Sequence, residues 1–257
     1  MSFTKSQVNK LGEKLRHGTA IDGESLERLQ DLRVLYDAPM ARVQVSLRDR
    51  LGVDATSRLK TVNTIIEKLR REKMRLAEMQ DIAGLRIVEE MGIGAQNEMV
   101  ERIISLFAGA RVVDRRRHPR HGYRAVHVIP EVDGFLVEIQ VRTRLQDSWA
   151  QAMERLADQA GREIRYGGVP AGWESVIRRA LSISEKFGQI EEQIESIRVE
   201  GSRLPSPRRV ARGQRELQLL HARLHARQKS LEASVSELSD TVRDKLKKLL
   251  EETDSAT

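Results

Sequence analysis

Residues 122–142 read GYRAVHVIPEVDGFLVEIQVR, and the rest of the chain is ordered around them. In the second half of this stretch Phe135, Val137, Ile139 and Val141 alternate with Leu136, Glu138, Gln140 and Arg142. That period of two sends successive side chains to opposite faces of a strand, so Glu138, Gln140 and Arg142 make one face polar. In the first half Tyr123, Ala125, His127 and Ile129 share a face, with Val126 and Val128 on the other. Asp133-Gly134 between the halves is a dipeptide that tight hairpin turns prefer. The expectation is a hairpin whose polar face needs a partner, a ligand being one candidate.

Upstream, residues 111–124 hold six Arg against one Asp, either a solvated face or an anion-binding approach to the hairpin. Residues 3–18 and 24–51 read as helices separated by Asp22-Gly23, and 57–79 as a third, with Ile65, Ile66 and Leu69 on its apolar side. On that helix Lys60 and Lys68, eight residues apart, would point the same way. They suit a polyphosphate or simple surface solubility. Residues 81–90 are the first strand candidate, 95–107 a helix, 111–114 a short strand and 145–156 a helix carrying Trp149 and Met153. Interleaving of this kind predicts a mixed sheet with helices packed on it.

Beyond residue 160 the pattern changes. Residues 161–173 contain four Gly and one Pro, a break, and 173–199 reads as helix. After a second break at 201–213, Leu217, Leu224, Leu231 and Leu238 recur every seventh residue, as in a coiled coil. The domain expectation is an N-terminal helical region at 1–56, a core at 57–160, a linker-flanked helix at 161–213 and a coiled-coil-like helix at 214–257. The last would make a homo-oligomer, or fold back on its own domain.

Composition narrows the function classes. With no Cys among 257 residues, disulfide frameworks and Cys-ligated zinc or iron–sulfur sites are excluded, which fits a reducing, cytoplasmic setting. No apolar run reaches the length of a membrane span. The formal charge of +7 favours anionic partners. MGIGAQN at 91–97 lacks the third glycine of a dinucleotide fingerprint, and no P-loop pattern occurs. The remaining chemistry is carboxylate-based. Asp81 and Glu138, if brought to one sheet, could share a magnesium ion with substrate phosphates. Asp81 could instead be a turn residue, and Glu138 could be compensated by Arg86 or Arg142. Tyr123 could pack in a core or stack on a base.

Together DIAGLR, HGYRAVH and VEIQVRT, in that order, resemble the alarmone synthetase domain of the RelA/SpoT family, over about Arg58 to Ala160. The resemblance implies an α+β, nucleotidyltransferase-like fold with long C-terminal helices. It implies an enzyme that moves pyrophosphate from ATP to the ribose 3'-hydroxyl of GDP or GTP, the GTP pyrophosphokinase reaction that makes (p)ppGpp. It implies that Arg58, Lys60, Lys68 and Arg86 bind ATP, that Asp81 and Glu138 are catalytic and hold Mg2+, and that Arg120, Tyr123, His127, Gln140 and Arg142 serve the acceptor. Family members also include toxins that modify the tRNA 3' end or make adenosine alarmones, so tRNA bound through 111–124 and an antitoxin belong to the alternative. The lead-in Pro119-Arg120-His121-Gly122-Tyr123 is one residue shorter than the family's usual segment and carries Arg where many members have Lys.

Overall fold

The computed structural model describes residues 3–18 and 21–203, together with positions 219, 222, 223, 226 and 229. The chain forms two compact units, each drawn from three stretches. Of the described residues, the first takes those up to Val88 together with 98–114 and 126–141, and the second takes 89–97, 115–125 and those from Arg142 onward.

The first unit opens with helices α1 (Lys5–His17), α2 (Gly23–Val34) and α3 (Asp37–Leu51). Thr4 caps α1 reciprocally with Gln7 and Asp22 caps α2 through Ser25, satisfying first-turn N–H groups that have no helical acceptor. The sequence predicts one helix over 24–51, whereas the chain breaks at Leu35–Tyr36. Pro39 is the reason: it lies in the first turn of α3, where its missing N–H costs nothing, but inside a continuous helix it would remove a bond and clash with the preceding turn. Tyr36, freed from the helix, meets Phe135 edge-on with ring centres 4.8 Å apart.

The expected helix over 57–79 is instead strand β1 (Thr56–Leu59), helix α4 (Val62–Glu72) and a 3-10 turn at Leu76–Glu78. Thr61 caps α4 through Thr64 N, and Lys73 ends it in the left-handed region at φ 51°. Next come β2 (Ala83–Glu89), α5 (Ile93–Leu106), β3 (Arg111–Asp114), β4 (Val126–Ile129), β5 (Glu131–Val132) and β6 (Phe135–Thr143). They form a mixed sheet flanked by helices, in the order β1-β2-β6-β4-β3 with β5 paired to β6.

The sheet's interior follows the alternation in the sequence. Val137, Ile139 and Val141 of β6 are completely buried, as are Ala83 and Ile87 of β2. The Asp133-Gly134 hairpin is present, with φ 52° and 81°, the two left-handed positions of a type I′ turn. The first run is shorter than expected: β4 begins at Val126, not Tyr123. Residues Arg120–Tyr123 make another tight turn, with His121 at φ 53° and Gly122 at φ 81°, closed by Tyr123 N donating to Arg120 O at 3.0 Å.

That turn belongs to the second unit, which also contains α6 (Arg144–Ala160), a 3-10 turn at Arg162–Tyr166 and α7 (Glu174–Arg203). Its core is Leu145, Trp149, Met153 and Leu156 of α6, with Ile164, Ile177 and Phe187. The seven-residue pattern at 214–252 lies outside the described residues, apart from isolated helical, exposed positions among 219–229. Among the described residues, no helix is long and apolar enough to cross a membrane.

Candidate functional site

In the first unit, Lys60, Lys68 and Asp81 converge. Lys68 projects from α4, but Lys60 precedes the helix cap and is held by its backbone. Its N–H donates to Ile82 O at 2.8 Å, and its carbonyl accepts from Arg33 Nε of α2 at 2.7 Å. The two ammonium groups meet the two carboxylate oxygens of Asp81, Lys60 Nζ at 2.8 Å and Lys68 Nζ at 2.9 Å. Helical spacing therefore does not explain their common direction; a shared carboxylate at the entrance to β2 does. Burial disfavours the charged form of Asp81, but the two lysines outweigh it and hold the carboxyl below its ordinary range.

Arg58 is exposed on β1, opposite Gly84 of β2. Arg86 lies on the partly buried face of β2, on the opposite sheet face from Leu85 and Ile87. Its backbone partner on β1 is Thr56.

Glu138 is 7% exposed on β6, and its charge is compensated within the hairpin. Nδ1 of His127 lies 2.8 Å from Oε1, and Gln140 Nε2 donates to Oε2 at 2.7 Å. Arg142, one of the arginines considered as its compensator, pairs with Asp147. Desolvation pushes the Glu138 carboxyl up, as does the negative charge of Asp81, but the bonds from His127 and Gln140 prevail and it stays below its usual range. Both acids are thus anionic at neutral pH. Among the described residues no three His, Asp or Glu side chains form a metal-binding cluster. Two carboxylates do fit magnesium, which keeps waters and substrate phosphates as its other ligands.

The second unit contains Arg120, Tyr123 and Arg142. Arg120 is exposed at the start of the tight turn, and Tyr123 is half-buried at its end. Gly122 is required between them on two counts: its φ is positive, and a Cβ there would sit 2.6 Å from Trp149 Cζ2. Arg142 is 3% exposed. It donates through Nη2 to the Tyr123 hydroxyl at 3.0 Å and through Nη1 to Asp147 Oδ1 at 2.9 Å.

The sequence reading missed a buried polar set around this turn. Ser184 of α7 donates to Gly122 O, and Arg124 Nε donates to Ser184 O at 3.2 Å. Trp149 Nε1 donates to Ala180 O at 2.8 Å. Glu191 of α7 accepts from Thr143 Oγ1 and from Gln146 Nε2 at 3.2 Å. Burial raises the Glu191 carboxyl, opposed in part by those donors and by the charges of Arg124 and Arg116. Arg116 and Arg124 of the basic segment thus face inward, Arg116 Nη1 donating to Gln96 Oε1 at 3.1 Å. The glycine segment at 91–97 is also accounted for. Gly94 N, at the start of α5, donates to Glu195 Oε2 at 2.9 Å, so the chain's own carboxylate takes the place an anion would favour at a helix N-terminus.

Two anionic carboxylates and two convergent ammonium groups on a mixed α/β sheet suit the handling of a metal-bound polyphosphate. Comparison with known proteins gives that class its family. Residues 57–157 match the region found in RelA / SpoT proteins. The chain is 34% identical over 189 residues to the GTP pyrophosphokinase YjbM of Bacillus subtilis, an alignment covering 67% of this chain and 81% of that one. It is 44% identical over 178 residues to an uncharacterized protein of Mycobacterium tuberculosis, covering 65% of this chain and 64% of that relative's length. The crystal structure of Bacillus subtilis small alarmone synthetase 1 bound to its product pppGpp superposes with a TM-score of 0.54 at 26% identity, over 68% of this chain and 99% of that one. This chain belongs to the RelA/SpoT family.

Proposed function

We propose that this chain is a pyrophosphotransferase that moves the β,γ-pyrophosphate of ATP to the 3'-hydroxyl of GDP or GTP. The observation that carries the reading is Glu138, kept anionic beside His127 and Gln140 in the same unit as Asp81, Lys60 and Lys68. A ribose hydroxyl attacks phosphorus only as its proton leaves, and an anionic carboxylate is the group to take it. The new bond joins the ribose oxygen to the β-phosphorus. The bond to the α,β-bridging oxygen breaks, and AMP leaves with the electron pair.

Lys60 and Lys68 would exchange Asp81 for the donor's phosphates and hold the charge that develops there, with exposed Arg58 and partly buried Arg86 assisting. Asp81 and Glu138 would hold Mg2+, which when bound supplies charge neutralisation at the phosphates. Arg120, Tyr123, His127, Gln140 and Arg142 are assigned to the acceptor side by the family resemblance, His127 and Gln140 acting through Glu138.

Purified protein incubated with γ-labelled ATP, magnesium and GDP, GTP, an adenosine nucleotide or deacylated tRNA tests the reading. Label in GDP or GTP is expected. Label confined to the tRNA 3' end or to an adenosine nucleotide would replace it with the alternative substrate, and label in no acceptor would refute transfer altogether.

A further inference from the structure

One member of a buried charge pair in the second unit, Asp147, has no part assigned in the proposed reaction. Asp147, in the first turn of α6 and 6% exposed, accepts from Arg142 Nη1 at 2.9 Å, and its other oxygen accepts from Gln151 Nε2 at 2.5 Å. Arg142 gives its second terminal nitrogen to the phenol oxygen of Tyr123, and its Cζ stands over that ring, 5.0 Å from the centroid. One aromatic ring is therefore constrained twice, at its hydroxyl and over its face. The turn that carries it is fixed as well, by the positive φ angles at His121 and Gly122 and by the packing of Gly122 on Trp149.

Stability alone is a weak account of such a pair. Desolvating a guanidinium and a carboxylate offsets most of their attraction, and an apolar pair of similar volume serves as well. What the pair supplies is direction. The guanidinium is a planar fork, and with one prong on a carboxylate its plane and the position of its other prong are set. A tyrosine on a loop otherwise keeps its side-chain torsions, and ordering them is a cost that binding must meet.

We propose that Asp147 is a positioning residue for the acceptor nucleotide: through Arg142 it sets the plane of the Tyr123 ring, on which the heteroaromatic base stacks. The proposal rests on the reading that Tyr123 receives a nucleotide acceptor. In this assignment Asp147 acts through Arg142 and Tyr123.

Steady-state transfer by the full chain, with GDP varied at saturating MgATP and then the reverse, tests it on Asp147→Asn, Tyr123→Phe and the double variant. Asp147→Asn is expected to raise the KM for GDP about tenfold, equivalent to ~1.4 kcal/mol, with the KM for ATP and kcat at saturating GDP within roughly twofold of wild type. The double variant should be no worse than the weaker binder of the two singles, because both changes interrupt one chain of contacts. Should Asp147→Asn fail to fold by thermal unfolding, Arg142→Lys, which keeps the charge and loses the fork, takes its place in the same cycle. An unchanged KM for GDP, an equal rise in both KM values, or additive effects in the double variant would overturn the proposal. Wild-type protein that transfers label to no nucleotide acceptor would instead refute the underlying function, and this proposal with it.

Discussion

Nδ1 of His127 lies 2.8 Å from Oε1 of Glu138, although the β4–β6 register sets His127 opposite Gln140. The contact is diagonal across the pair of strands, and Gln140, the cross-strand neighbour, closes on the other carboxylate oxygen. Both oxygens are held by groups that favour the anion. Glu138→Gln is therefore expected to lower transfer by at least about a hundredfold while leaving the melting temperature close to that of wild type, since an amide still bonds to both neighbours. Turnover by the variant within a factor of a few of wild type would remove Glu138 from the chemistry.

Asp81 and its two lysines give a stability test independent of activity. Removing both cations with Lys60→Met/Lys68→Met leaves a largely buried carboxylate unpaired, a loss of roughly 1–3 kcal/mol. Adding Asp81→Asn to that double variant should restore part of the loss, because the uncompensated charge goes with it. Chemical denaturation of the three proteins measures this, and a further drop on adding Asp81→Asn would contradict the pairing.

Gly122→Ala places a Cβ against the Trp149 ring at a backbone angle that L-residues rarely adopt. The expected cost is about 1–3 kcal/mol, read as a lowered unfolding midpoint. The same change should raise the KM for the acceptor more than that for ATP, as Tyr123 follows directly in the turn. Equal effects on both substrates would argue against a link between this turn and the acceptor.

Glu191 predicts a pH dependence with a definite sign. Burial raises its carboxyl above the ordinary value of 4.5, so within the window from 4.5 upward the folded chain binds a proton that the unfolded chain has released. Its contribution to stability is complete below about 4.5 and is lost as pH rises through the raised value. Glu191→Gln should show no such loss, and the difference in melting temperature between variant and wild type should grow with pH across that window. A difference that shrinks with rising pH would reverse the assignment.

The hairpin and its charges were legible because they follow strong local rules: a period of two in Phe135–Arg142, an Asp-Gly turn, and an acid between Val137 and Ile139 that demands a partner. Which partner it takes was not legible, because a diagonal contact from His127 depends on strand register. Strand β1 was hidden for a related reason. Thr-Ser-Arg-Leu is short, polar and mostly exposed, with none of the alternation that marks a half-buried strand, and the helical pattern of α4 extends over it. Lys60 and Lys68 were expected to act together, but from a helix that does not contain Lys60. Asp147 is one acid in the first turn of α6 and Glu191 one of several charges along α7, and nothing in their local sequence sets either apart. Their burial is set by contacts 5 and 48 residues away along the chain, beyond what local pattern records.

The core around Trp149 also decides where the chain can be cut. The stretch that matches the family, residues 57–157, stops within α6, while Ile164, Ile177, Ala180 and Phe187 complete the cluster in which Leu145, Trp149, Met153 and Leu156 are buried. A fragment ending at residue 157 would present those four side chains to water and lose the hydroxyl of Ser184 from the Gly122 carbonyl. The boundary drawn by sequence similarity is therefore not a boundary of cooperative folding: the smallest excisable piece that keeps the Tyr123 turn intact has to run through α7.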